Sequence, residues 1–366
     1  MTSLPTERLA VLGTGLIGTS IALAATRAGM SVTGWDLKPD IAAGAAERGG
    51  FLAAHSLEEA VDAAGLVVVA TPIAAIGRVA AMALAAASDA VVTDAGSIKA
   101  GVVRSVTEHA AEHDLPRFVA GHPLGGGERS GPEHASASVV DGIVWVIAPG
   151  ERSSPDAVEA VEHFVERIGA RPVLMSPERH DRLVAFVSHL PQVASSTLMG
   201  LAATEEGGEP DMLLLAAGGF RDLTRLAASD PALWSEILVA NGDEIVRAID
   251  LFVARLAALR DRIEESDAKD VQRSFGEAKE ARLRLAAKPQ VRAGVAVLQV
   301  QIDDRPGALA DLTATLGRGD VNIEDLQIVH SPEGGRGTVH LTVAAATATD
   351  AASVLVDGGF DPVRLA

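Results

Sequence analysis

The 366 residues predict an α/β unit on a doubly wound sheet, then an all-helical unit, then a small ferredoxin-like unit. Three observations carry that expectation. From Arg8 to about Met175, short apolar runs alternate with Ala-rich helical stretches; from Ser176 the strand signal stops and long helical stretches follow; past Lys288-Pro289 the character changes again. The last segment reads βαββαβ in about 70 residues, the order of a ferredoxin-like module. A chain of this length suits two or three domains, expected at residues 1–175, 176–288 and 289–366.

In the first unit the expected strands are Leu9–Leu12, Ser31–Trp35, Leu66–Ala70, Ala90–Thr93, Phe118–Ala120, Ile143–Ile147 and Pro172–Leu174. Helices at Ile17–Ala28, Ile73–Ala87 and Pro155–Ile168 separate many of them, which argues for a parallel sheet covered on both faces. In the second unit Pro177–Met199 and Pro231–Ser266 read as long helices. Ile245, Ile249, Phe252, Leu256, Leu259 and Ile263 form a heptad-like seam that needs a partner helix. Packing within one subunit would satisfy it, but few other long helices are on offer, so a homodimer is expected. In the third unit strands are expected at Val295–Ile302, Asn322–Val329, Thr338–Ala344 and Pro362–Leu365, with helices at Pro306–Leu316 and Asp350–Val356.

Composition excludes several classes. With 48% hydrophobic and 22% charged residues the chain has ample core and is not disordered. Its 31 Lys+Arg against 49 Asp+Glu give a net charge of −18, a field that repels nucleic acid. The absence of Cys removes disulfides, thiolate catalysis and cysteine-ligated metals, and no metal site is expected. The opening MTSLPTER lacks the basic and apolar regions of a signal peptide, and no long uncharged apolar run spans a membrane, so a cytoplasmic protein is expected.

The strand Leu9–Leu12 leads into Gly13-Thr14-Gly15-Leu16-Ile17-Gly18 and then an Ala-rich helix. Such glycines give a tight turn, a close approach for a pyrophosphate and close helix–strand packing, while the helix N-terminus offers free N–H groups. Asp36, closing the second strand eighteen residues beyond Gly18, suits a ribose 2′-OH and repels a 2′-phosphate. A Rossmann-like site for NAD follows, with Lys38 nearby to soften the selection against NADP. Thr71-Pro72 and Gly96 lie at strand ends where further cofactor contacts fall.

Among the histidines, His55, His109, His113, His134, His163, His330 and His340 sit in polar or irregular contexts, where a solvated ring is the simpler reading. His122 instead follows the apolar Phe118-Val119-Ala120 and precedes Pro123 and the glycines 125–127, a strand end where open α/β sheets bind ligands. Ser97, in Asp94-Ala95-Gly96-Ser97-Ile98-Lys99, can approach the same crevice, and His189 lies in Ser188-His189-Leu190-Pro191-Gln192.

The chain carries GTGLIG at 13–18, DAGSIK at 94–99, GHPLGGGERSG at 121–131, SPERHD at 176–181, SHLPQ at 188–192 and GGFRDLTRLAASDPALW at 218–234. Together these motifs resemble those of the prephenate/arogenate dehydrogenase family of tyrosine biosynthesis. Asp304-Arg305-Pro306-Gly307-Ala308-Leu309 with Asn322-Ile323-Glu324-Asp325-Leu326 resembles an ACT regulatory domain. The resemblance implies NAD-dependent oxidative decarboxylation of prephenate or arogenate, with His122 accepting the 4-hydroxyl proton and Ser97 bonding that hydroxyl and holding the imidazole. It implies that Arg225 pairs with a substrate carboxylate, although spacing alone would equally pair it with Asp222 or Asp230. Gly219 and Trp234 would shape the pocket, Ser188 and His189 would assist, and Glu128 would tune charge at its mouth. Asp181 would hold Arg225 or simply sit on a helix face.

Two positions depart from the family pattern. Gln192 stands where members often carry His, and Gly127 where they often carry Thr, both near the expected substrate. Exchanging a possible cation for a neutral amide leaves room for arogenate. The competing readings are an ACT-bearing hydroxy-acid dehydrogenase, which the all-helical middle region opposes, and a non-catalytic dinucleotide and amino-acid sensor. An effector site for tyrosine or another aromatic amino acid is expected at Asp304, Pro306, Gly307, Ala308 and Asn322 of the ACT unit.

Overall fold

A computed structural model describes residues 7–125, 131–204, 212–286, 295–303, 305–330 and 336–365. The chain forms two compact units. One comprises Met1–Met199 with Leu226–Leu251, the other Gly200–Arg225 with Phe252–Ala366.

The first unit is built on an eight-stranded sheet: β1 (Arg8–Leu12), β2 (Ser31–Trp35), β3 (Leu52–Ala53), β4 (Leu66–Val69), β5 (Val91–Asp94), β6 (Phe118–Pro123), β7 (Val144–Ala148) and β8 (Arg171–Leu174). The strand order is β3-β2-β1-β4-β5-β6-β7-β8. The chain adds strands first to one side of β1 and then to the other, and a crevice opens at the strand ends where that order reverses, between β1 and β4. The covering helices are α1 (Leu16–Arg27), α2 (Pro39–Gly49), α3 (Leu57–Val61), α4 (Ile73–Ala86), α5 (Ala100–His109) and α6 (Pro155–Arg167). Alternate residues of β1 feed opposite cores. Leu9 and Val11 join Ile21, Val68, Trp145 and Phe164, whereas Ala10 and Leu12 join Val67, Ile76 and Leu84. Continuous apolar strands such as Leu66–Val69 are therefore buried on both faces.

The sheet is not wholly parallel, contrary to expectation. β7 runs antiparallel to β6, and β8 then runs parallel to β7. A parallel return needs a crossover element. Between β6 and β7 the described residues supply only the short turns Pro132–His134 and Ala137–Val139, so the strand comes back antiparallel.

Helices α7 (Pro177–Val184) and α8 (Leu190–Ala203) are joined by a π-helical turn, Ala185–His189. α9 (Gly218–Thr224) leads into the 3-10 turn Arg225–Ala228. The long helix expected over Pro231–Ser266 is two: α10 (Pro231–Ala240) and α11 (Gly242–Glu264) break at Asn241, whose buried side chain bonds elsewhere in the same unit. A further helix, α12 (Ala268–Ala286), fills a stretch for which no element was expected. Of the heptad seam, Ile245 is buried, whereas Leu256 and Ile263 are exposed.

In the second unit β9 (Val295–Asp303), α13 (Ala308–Arg318), β10 (Asp325–His330), β11 (Arg336–Ala344), α14 (Ala348–Asp357) and β12 (Pro362–Leu365) follow in the order βαββαβ. Their antiparallel sheet has the order β10-β11-β9-β12. Leu298, Val300, Leu312, Leu316, Val339, Leu341 and Leu355 form its core. No described helix is long and apolar enough to cross a membrane.

Candidate active site

The loop after β1 is shaped by what its glycines lack. Gly13 has φ +96°, and a Cβ there would lie 2.6 Å from the Ala70 carbonyl oxygen. A Cβ on Gly18 would lie 1.9 Å from the Gly13 oxygen, so α1 packs against the loop only because none exists. Gly15 caps α1 without a side-chain hydrogen bond and has open space around it. The first N–H groups of α1, at Leu16 and Ile17, are those a helix leaves for an anion. Asp36 ends β2 and closes on the same loop, its Oδ2 accepting from Thr14 N at 2.9 Å and its Oδ1 from Lys38 N at 3.0 Å. Thr71, at the end of β4 beside Pro72, has a buried hydroxyl with no hydrogen-bond partner. A glycine cradle, an uncapped helix start, a fixed carboxylate and an orphaned hydroxyl fit a nicotinamide dinucleotide.

Beyond β5 lies a buried polar cluster. Asp94 Oδ2 accepts from Gly96 N at 2.9 Å and pairs with Lys99 Nζ, while Oδ1 accepts from Gly121 N at 3.1 Å. Lys99 also donates to the Gly121 carbonyl at 2.6 Å. The ion pair therefore clamps the residue just before His122. Burial pulls Lys99 below its ordinary pKa, opposed by Asp94 and then Asp181.

His122 is half-buried at the end of β6, with its Nδ1 2.8 Å from His180 Nε2. His180 Nδ1 is in turn 2.8 Å from Asp181 Oδ1. Asp181 is fixed by two backbone donors, Lys99 N to Oδ1 at 2.7 Å and Ala100 N to Oδ2 at 2.8 Å. Burial holds His122 well below the usual imidazole pKa, reinforced by His180, Lys99 and His189. The ring is therefore neutral and able to accept a proton at ordinary pH.

The other expected residues divide. Ser97 is half-buried between Asp94 and Lys99 but makes no hydrogen bond to His122. The imidazole is held by His180 instead, which corrects the expectation for Ser97. Asp181 is neither on an open helix face nor turned outward: it is buried behind the histidines and accepts three hydrogen bonds there. His189 is buried in the π-helical turn, accepts from Asn241 Nδ2 at 3.2 Å and meets Trp234 edge-on at 6.0 Å. Burial first, and then His180, lower its pKa to about 4 against the pull of Asp181. The Gln192 amide is occupied by protein, donating to Leu226 O at 2.8 Å and Ser196 Oγ at 3.3 Å, and accepting from Ser229 Oγ at 3.3 Å. It ties α8 to the following turn, which corrects the expectation that it faces substrate.

Ser188 is exposed. Gly219, in the first turn of α9, has open space around it, and Arg225 is exposed at the start of its 3-10 turn; both belong to the second unit. Gly127 and Glu128 lie outside the described residues. Sequence reasoning missed Asp94, Lys99, His180 and Asn241 as members of the cluster. The first two stand in DAGSIK and His180 in SPERHD, so the motifs contained them without indicating what they touch.

A dinucleotide cradle and a neutral proton-accepting imidazole at the C-terminal edge of one sheet are the equipment of an NAD-dependent dehydrogenase. Residues 21–174 match the family profile described as "Prephenate dehydrogenase, nucleotide-binding domain", and residues 176–277 match "Prephenate dehydrogenase, dimerization domain". The chain belongs to the prephenate dehydrogenase family. It is 31% identical over 346 residues to the prephenate dehydrogenase of Bacillus subtilis, covering 92% of each chain. It is 33% identical over 300 residues to the cyclohexadienyl dehydrogenase of Zymomonas mobilis, covering 78% of this chain and 98% of that one. Among solved structures it is similar to the A. aeolicus prephenate dehydrogenase in complex with hydroxyphenyl propionate and NAD+ (27% identity, TM-score 0.71, 78% of this chain and 100% of that one). It is also similar to the arogenate dehydrogenase of Synechocystis (25% identity, TM-score 0.67, 76% and 99%). This protein is an oxidoreductase and its cofactor is NAD.

Proposed function

We propose that the chain oxidises prephenate with loss of CO₂, giving 4-hydroxyphenylpyruvate on the route to L-tyrosine. The observation that carries the reading is the neutral His122 imidazole, anchored at Nδ1, at the end of β6. NAD⁺, held by Gly13 to Gly18, Asp36, Thr71, Pro72 and Gly96, supplies the hydride acceptor. His122 accepts the proton of the 4-hydroxyl as the C4 carbonyl forms. The ring carboxylate then leaves as CO₂, its electrons pass into the ring, and His122 returns the proton to the phenolate oxygen. Aromatisation makes the sequence irreversible. Ser97 bonds the 4-hydroxyl, Arg225 binds a substrate carboxylate through its planar fork, and Gly219, Ser188, His189 and Trp234 contribute to substrate binding.

Arogenate is the second reading, favoured by the likeness to the Synechocystis enzyme. Comparing kcat/KM for prephenate and arogenate with NAD⁺ separates the two; no turnover of either rejects both.

The exposed seam of α11 supports a homodimer, and the match to a dimerisation domain supports it too. The βαββαβ order and sheet order of residues 295–365 support a ferredoxin-like ACT unit. Within it, Gly307 has φ +90° and opens α13 ahead of the buried Ala308. That loop, with Pro306 and Asn322, would take tyrosine or another aromatic amino acid; Asp304 lies outside the described residues.

A further inference from the structure

The hydrogen bonds behind His122 determine which of its ring nitrogens carries the proton. Lys99 N–H and Ala100 N–H can only donate, so both Asp181 oxygens act as acceptors. The 2.8 Å contact between Asp181 Oδ1 and His180 Nδ1 is then made by an Nδ1–H. A neutral His180 consequently presents a lone pair at Nε2. Only one proton fits between that atom and His122 Nδ1, 2.8 Å away, and it must come from His122.

We propose that His180 is a positioning residue that holds His122 as the Nδ1–H tautomer and so leaves Nε2 as the atom that takes the substrate proton. His122 Nε2 makes no hydrogen bond among the described residues, as a proton acceptor awaiting substrate requires. The two rings meet edge-on at 77°, with centroids 5.0 Å apart, a geometry that directs one ring's nitrogen at the other rather than stacking them. The local sequence builds the support. Ser176 caps α7 by accepting from Arg179 N, and His180, one turn in, is almost fully buried. Asn241 secures the base of the arrangement, donating to the Asp181 carbonyl at 2.9 Å and to His189. The groups facing the pair are Asp181 behind His180, Lys99 with its partner Asp94 beside Gly121, and His189 from the π-helical turn. Protonating His180 would put Nε2–H against His122 Nδ1 and reverse the tautomer, so the arrangement works only with His180 neutral.

The catalytic consequence rests on the function proposed above, but the tautomer does not. In ¹⁵N spectra of the folded full chain without substrate, His122 Nδ1 should show the protonated shift and Nε2 the unprotonated one. The reverse assignment overturns the proposal, whatever the enzyme is found to oxidise. His180→Leu should lower kcat by about 10²-fold or more, with KM for prephenate and Kd for NAD⁺ within about twofold. His180→Gln can accept from His122 and donate to Asp181, and should recover most of that loss. Unchanged kcat in folded His180→Leu, or an equal loss in both variants, overturns the proposal. Should neither variant fold, the spectrum of the unaltered protein still decides.

Discussion

Lys99→Met removes the cation from a fully buried ion pair. Lys99 and Asp94 are both at zero exposure, and among the described residues Asp94 would keep the Gly96 and Gly121 N–H groups as its donors. Breaking a buried pair from one side costs about 3–5 kcal/mol, because the remaining charge is stranded. That is roughly a 10²- to 10⁴-fold fall in the folded-to-unfolded ratio. The loss falls on β6, since Lys99 also donates to the Gly121 carbonyl, so His122 should be displaced as the protein is weakened. Adding Asp94→Asn removes the stranded charge and should recover at least about 2 kcal/mol, a coupling expected only of groups in direct contact. Urea unfolding at pH 7 of the parent, both single variants and the double variant gives the cycle. A loss below about 1 kcal/mol in Lys99→Met, or additive single effects, refutes the assignment of this pair as the clamp on β6.

Three further outcomes are expected. His189 is held near 4 in the folded protein against an ordinary 6.5, so between those values the unfolded chain binds a proton that the folded one does not. That contribution is fully present above pH 6.5 and lost by pH 4, amounting to about 3 kcal/mol at most; His189→Asn should flatten the acid slope of unfolding free energy, and an unchanged slope contradicts it. Arg225→Ala should raise KM for prephenate by about 30-fold, equivalent to about 2 kcal/mol, with kcat little affected; a fall in Tm at constant KM would make Arg225 structural. Asp36→Ser should raise the NADP/NAD ratio of kcat/KM by removing the 2′-phosphate repulsion, and a constant ratio would mean that Asp36 does not face the ribose.

What was legible in the sequence follows physical lines. β1 and β4 could be read because strands buried on both faces are continuous apolar runs, and the cradle because Gly13 and Gly18 occupy places where a Cβ would strike backbone. The direction of β7 could not, since local pattern is the same for a strand running either way. The break at Asn241 falls on a local turn signal, the Asn-Gly pair at 241–242, whereas the bond from the Asn241 side chain to the Asp181 carbonyl, 60 residues earlier, leaves no mark in the sequence. α12 has almost no buried face in the described chain, so no apolar stripe announced it. The same holds at the site. His122 stood out by its place at a strand end, whereas His180 acquires meaning only through a contact 58 residues away. Ser97 was assigned its anchoring role by resemblance, and the fold gives that role to His180.

The most direct test of the account is the pH dependence of kcat/KM for prephenate oxidation in the parent protein and in His122→Asn. A neutral base whose pKa burial has lowered keeps kcat/KM flat through neutrality and loses it only as pH falls through a value below 6.5. His122→Asn should abolish that acid limb and lower kcat by about 10²- to 10⁴-fold while NAD⁺ still binds. An acid limb at or above 6.5, or one that persists in His122→Asn with turnover unchanged, would contradict His122 as the group that takes the substrate's proton.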